Sequence, residues 1–169
     1  MARPQQGEHG EFYQKYINKT QGDSIQALIN NHSALLNDFV NDLPESKANY
    51  AYADGKWTIK DLVQHIIDTE RIMSYRALTF ARKDAKDLPG FEEDDYALAA
   101  NAGNRTLQSL KDEFVALRKS TDLFLLSLTD QQLQQVGKAN GYAVKVNSIA
   151  FMLFGHALHH KQIIEERYL

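Results

Sequence analysis

Apolar residues recur every three or four positions along four stretches of this 169-residue chain, with polar or turn-forming residues between the stretches. The first stretch, Ile25, Leu28, Ile29, His32, Leu36, Phe39 and Leu43, lines one face of a helix. Asp23 or Ser24 can cap its start, and Pro44 stops it because proline lacks the N–H that a helix interior needs. The second start carries the strongest signal in the chain. Thr58 and Asp61 approximate a capping box and Trp57 can pack on Leu62 across the cap, predicting a helix from about residue 59 to about Lys83. In the third, Leu107, Leu110, Phe114, Leu117, Thr121, Phe124 and Leu128 alternate three and four, the seam of an antiparallel bundle. Asn147 or Ser148 can cap the fourth, where Ile149, Met152, His156, His160, Ile163 and Arg167 share a face.

The intervening segments complete an all-α expectation. Residues 1–22 are polar, anchored by Tyr13, Tyr16 and Ile17, and read as an extended strap; residues 23–169 form a single domain. Pro89-Gly90 and the acids from Glu92 to Asp95 mark a long crossover from helix two to helix three. Thr129 and Asp130 cap a short turn, and Asn140-Gly141 marks a tight one. Four amphipathic helices without a sustained strand pattern make a four-helix bundle.

Composition then narrows the chemistry. A net charge of −3, from 19 basic and 22 acidic residues, supplies no basic stripe for nucleic acid and no polybasic membrane anchor. The polar N-terminus has no apolar leader core and no run is long enough to span a bilayer, so a cytoplasmic protein is expected. With no cysteine, the chain has no thiolate ligand or nucleophile of its own, and any thiol chemistry must use an external thiol. A metal would have to be held by His, Asp or Glu.

His156 and His160 stand one helical turn apart, which stacks their rings about 6 Å from each other. His65, inward on helix two between Leu62 and Thr69, can supply a third nitrogen. Three neutral imidazoles leave a fourth position open, the pattern of a catalytic rather than a structural site. Zinc, nickel and iron all accept such ligands, and the sequence does not choose among them. Spacing alone is weak evidence, but ring nitrogens on an apolar stripe need partners, and a cation satisfies several at once. His159 falls at the rim of the stripe, His32 on an inward face where it can line a pocket, and His9 in solvent. Asp68 and Glu70 follow His65 closely enough to act as bases, although such acids more often form surface ion pairs. Tyr75, Arg76 and Arg118 are candidates for holding an anionic substrate, with packing or surface pairing as the plainer role.

The run from Tyr52 to Thr58 (Tyr-Ala-Asp-Gly-Lys-Trp-Thr), then His65-Ile66-Ile67-Asp68, Pro89-Gly90-Phe91, Gly155-His156 with His159-His160, and the final Glu166-Arg167-Tyr168-Leu169, resembles the DinB superfamily over nearly the whole chain. The similarity is closest to its bacillithiol-transferase-like, metal-dependent hydrolase branch. The resemblance implies an up-up-down-down bundle, one divalent ion on His65, His156 and His160, and often a homodimer. It also implies activities that differ among members: transfer of low-molecular-weight thiols such as bacillithiol, or isomerisation with mycothiol or glutathione. Thr69-Glu70-Arg71-Ile72 departs from the best-described thiol transferase, which has a second histidine there.

The function expected is therefore a metal-dependent enzyme that activates an external low-molecular-weight thiol and passes it to a small electrophile. The alternatives are a hydrolase using metal-activated water, with Glu70 or Asp68 as base, and a non-catalytic metal-binding stress-response protein.

Overall fold

The computed structural model describes residues 2–169; Met1, the first residue of the predicted strap, lies outside the described residues. In chain order the elements are α1 (Gln14–Ile17), α2 (Ile25–Asn41), α3 (Ile59–Ala81), β1 (Asp87–Leu88), α4 (Glu93–Ala100), α5 (Leu107–Leu126), α6 (Asp130–Leu133), β2 (Val136–Ala139), β3 (Tyr142–Lys145) and α7 (Val146–Arg167). Helices α2, α3, α5 and α7 are the four expected from periodicity.

Their starts follow the capping residues. The Ser24 side chain accepts a hydrogen bond from the Ala27 N–H. Thr58 and Asp61 form the full reciprocal box, and Thr106 and Thr129 cap α5 and α6. The start of α7 differs from expectation: it begins at Val146, directly off β3, without a side-chain cap. Asn147 instead donates its side-chain N–H to the Ala2 carbonyl, and Ser148 is buried.

Helix α2 packs on α5 and α7, and α3 packs on the same two. Side-chain pairs give the directions. Gln64 meets Arg105, Arg71 meets Glu113 and Ser74 meets Thr121, so α3 and α5 run parallel. Lys111 near the start of α5 reaches the Asn41 and Leu43 carbonyls at the end of α2, so those two are antiparallel. Trp57 meets Tyr168, setting α3 against α7, while His32 beside Phe154 and Phe39 beside Lys161 set α2 along α7. The order along the chain is up-down-down-up, correcting the up-up-down-down order that the resemblance implied. The physical reason is the number of crossovers: residues 82–106 make the only link that traverses the bundle, which creates one consecutive parallel pair, whereas up-up-down-down needs two long crossovers.

A small sheet adds to the all-helical expectation. β2 and β3 form an antiparallel hairpin, and β1 pairs parallel to β2 with Asp87 opposite Lys138. Asn140 and Gly141 both have positive φ, 51° and 79°, as the turn of a two-residue hairpin requires. These strands are too short to show a period of two in the sequence.

The core is the Leu, Ile and Phe stripes, with Phe80, Phe114, Phe151 and Phe154 wholly enclosed. The strap, expected to be extended, is helical over residues 11–17 and closes over one side. Arg3 donates to the Ile17 and Gly22 carbonyls, Glu8 pairs with Lys145, and Gln21 donates its backbone N–H to His32 Nε2. Among the described residues no helix is long and apolar enough to cross a membrane.

Candidate metal centre

His65 stands on the second turn of α3, where the capping box fixes the helix start and Trp57 lies against its ring, centroids 4.8 Å apart. α7 runs antiparallel beside it and brings His156 and His160 to the same level. His156 Nε2 lies 3.1 Å from His65 Nε2 and 3.1 Å from His160 Nε2. All three donor nitrogens fall within 4.8 Å of one another.

A tetrahedral ion with metal–nitrogen bonds of 2.0–2.1 Å separates its ligand nitrogens by about 3.3 Å, close to what the two short contacts show. Electrostatics agree. Burial holds the imidazoles neutral: His65 is pushed down to about 4, and His160 to about 3 by burial and then by His65 and His159. His156, buried at the pocket wall, is lowered by burial and by its histidine neighbours. Three neutral rings offering converging lone pairs form a donor set that fits a divalent cation, and ligation would engage all three nitrogens together.

The cluster lies in a pocket of about 500 Å³ between α3 and α7. From α3 come His65, Thr69, Met73 and Arg76; from α7 come Met152, His156, His159 and His160. The strap supplies Phe12, Tyr13 and Tyr16, and the crossover supplies Gly90 to Glu93. Gly155 seats the strap: a Cβ there would lie 2.1 Å from the Tyr16 carbonyl oxygen, so only glycine lets α1 touch α7. Tyr16 then lies edge-on to His156 and His159, and burial, followed by nearby Glu93, raises its phenol above the usual range. Asn140 of the hairpin turn lies against Gly90 and lines the same cavity.

The predicted site residues separate into two groups. His65, His156, His160, Arg76 and His159 are brought together. Asp68 and Glu70 are not: Asp68 accepts from Gln64 on the side facing α4 and α5, and Glu70 pairs with Arg118 in the core at 3.1 Å. Burial raises both carboxyls. Tyr75 is exposed away from the pocket, and His32 lies on the far side of α7, where it accepts from the strap. Arg118 is wholly buried between Glu70 and Asp122 with its guanidinium over the Phe154 ring, which places it in the core. His9 is buried as well, not solvated. Sequence reading missed Trp57, Phe12, Glu92 and Glu93 as lining residues; Gly155 immediately before His156 was the one usable sign that another segment approaches there.

A family model described as the DinB superfamily matches residues 28–164. A candidate metal-dependent hydrolase of Oceanobacillus iheyensis is 26% identical over 140 residues, 78% of this chain and 76% of the relative. Among solved structures, YfiT of Bacillus subtilis, described as a probable metal-dependent hydrolase with an unusual four-helix bundle topology, superposes with TM-score 0.69 at 18% identity over 96% of this chain and 89% of its own. A mycothiol-dependent maleylpyruvate isomerase gives TM-score 0.65 at 9% identity, covering 92% of this chain and 60% of that one. At these identities the structural matches establish the fold.

Proposed function

This chain belongs to the DinB superfamily, and from that premise we propose that it is a metal-dependent enzyme that activates a low-molecular-weight thiol for transfer to a small electrophile. The observation that carries the reading is the trio of neutral imidazoles converging in an open pocket on a chain without cysteine. Zinc or nickel bound there would act as a Lewis acid on the open side, lowering the pKa of a thiol or a water.

The placement of the carboxylates favours the thiol. A free thiol has a pKa near 8.5 against 15.7 for bulk water, so a thiol needs far less help to ionise. Asp68 and Glu70, the bases a hydrolase would use next to His65, face other helices. The trio holds the reacting end while Tyr16, Trp57 and Phe91 exclude water around it. Hydrolysis is the second reading, supported by Glu92 and Glu93 in the lining and by the descriptions of the Oceanobacillus and Bacillus relatives.

The test is metal content after purification without a metal column, then thiol consumption with bacillithiol, glutathione and cysteine against several electrophiles, after zinc or nickel reconstitution. Metal-dependent consumption that His65→Ala abolishes is expected. Metal binding with no rate above buffer for any thiol rejects the transferase reading; ester or amide cleavage in the same preparation establishes the second.

A further inference from the structure

The three-imidazole cluster occupies only one end of the cavity. Along α3 the lining residues His65, Thr69, Met73 and Arg76 form a single stripe. Arg76 comes back to within about 20° of His65 around the helix, after about 16 Å of rise. Met152 of α7 also lines this cavity, and both methionines and Arg76 continue into a small enclosed recess against Gly10, Tyr142 and Val144. The cavity is thus a slot with imidazoles at one end, two thioethers along it, and a guanidinium at the other.

That guanidinium is unusual in its company. Arg76 is only 5% exposed, yet among the described residues it makes no ion pair. Its Nη2 donates to the Pro89 carbonyl at 2.7 Å, and Nη1 has only a weak contact with Met73 sulfur at 3.8 Å. A guanidinium has five N–H donors in a planar fork, so most of its capacity is uncommitted. A buried cation without an acid is costly, and the usual remedy is an anion. The other pocket cation, Lys15, is exposed at the mouth and lies over the Phe12 and Tyr16 rings. A second group also lacks a partner: Thr69 is 3% exposed and lines the slot between His65 and Met73, and its Oγ1 makes no hydrogen bond to any described residue. Glu92 and Glu93, exposed at the rim, disfavour an anionic end left at the mouth.

The geometry points to Arg76 as the anchor for a carboxylate, making the ligand of this pocket a slender amphiphilic monoanion. Its charged end is held by Arg76, its apolar body lies along Met73 and Met152, and a polar atom accepts from or donates to Thr69. Because an arginine side chain on a helix leans toward the N-terminus, its guanidinium approaches the imidazoles to roughly 10 Å, which sets the length of the ligand. Which end of the molecule reacts rests on the proposed function; the hold of Arg76 on the carboxylate does not.

Calorimetry separates the two. The probes are straight-chain ω-mercaptoalkanoates of increasing length and the neutral ω-mercaptoalcohols of matching length, titrated into metal-free and zinc-loaded full-length protein. The carboxylates are expected to bind about tenfold tighter than the alcohols or better, as a charge-assisted bidentate contact gives, with the advantage peaking at one chain length. Arg76→Met should erase the advantage with zinc stoichiometry unchanged, and Arg76→Lys should keep part of it. If Arg76→Met fails to fold, the wild-type comparison of acid with alcohol still decides. Equal affinity for acid and alcohol, no binding by any carboxylate, or an advantage that survives in Arg76→Met overturns the assignment. Discrimination in the metal-free protein together with failure to bind zinc would leave the anchor standing and remove the metal-dependent reading.

Discussion

Helix α3 carries two buried polar clusters a few residues apart that do opposite things. On the side of α7, His65 joins two other imidazoles whose lone pairs converge at the edge of a cavity. On the side of α5, Glu70 joins Arg118 and Asp122 in a network sealed within the core. The first is uncharged and leaves ring nitrogens to be satisfied by something external. The second is charged and closed off from any cavity: one guanidinium pairs with two carboxylates over Phe154, even though Glu70 Oε1, Arg118 Nε and Nη2 and Asp122 Oδ1 make no hydrogen bond to any described residue. Neither burial nor an unpartnered polar atom therefore identifies a functional group by itself; burial beside an accessible void does.

The widest separation between the clusters should appear in stability. Arg118→Met strands two buried carboxylates and should cost about 3–5 kcal/mol in urea denaturation, while zinc stoichiometry of the folded fraction stays at wild-type level. Loss of zinc binding in that variant, or in Glu70→Gln, would break the comparison by tying the ion network to the site.

Next in size is ligand linkage. Zinc at a hundred times its dissociation constant should stabilise the wild type by about 2.7 kcal/mol. His65→Ala, His156→Ala and His160→Ala should each lose this increment while His159→Ala keeps it, read as melting temperature with and without zinc. Full retention in any of the first three would remove that residue from the ligand set.

A smaller effect tests whether the strap belongs to one cluster only. Gly155→Ala places a methyl where the Tyr16 carbonyl lies and should cost about 1–3 kcal/mol, the usual range for overpacking. Limited proteolysis should find cleavage near residues 10–20 accelerated, while the α3–α5 side stays protected.

The last contrast is a pH slope. Unfolded imidazoles take up protons below about 6.5, but in the fold His65 does so only near 4 and His160 near 3. Their contribution is therefore fully present above about pH 6.5 and is lost as pH falls toward those values. Urea midpoints in chelator at pH 7 and pH 5 should show the metal-free protein weakening, with a shallower slope in His65→Ala and His160→Ala. An unchanged slope would mean that these rings are more hydrated than their burial suggests.

Much of this was legible in the residues. Local chemistry determined where α2 and α3 begin and where α2 ends: the Ser24 cap and the Thr58–Asp61 box depend on neighbours three positions away, and the Pro44 stop on proline's own missing N–H. Periodicity determined which face of each helix turns inward, and so it chose His65, His156 and His160. It could not say what stands opposite each inward residue. Glu70 sits roughly 140° around α3 from His65, which sends it to α5 while His65 meets α7; only the packing of helices distant in sequence decides that both directions are interior. The same limit explains Leu117, predicted on the seam of α5, where the burial centres on Arg118 instead. The hairpin with its parallel partner β1, the strap laid on Gly155, and the single crossover that makes α3 and α5 parallel are long-range pairings. Their energies come from surfaces brought together by the fold, so no short window of sequence contains them.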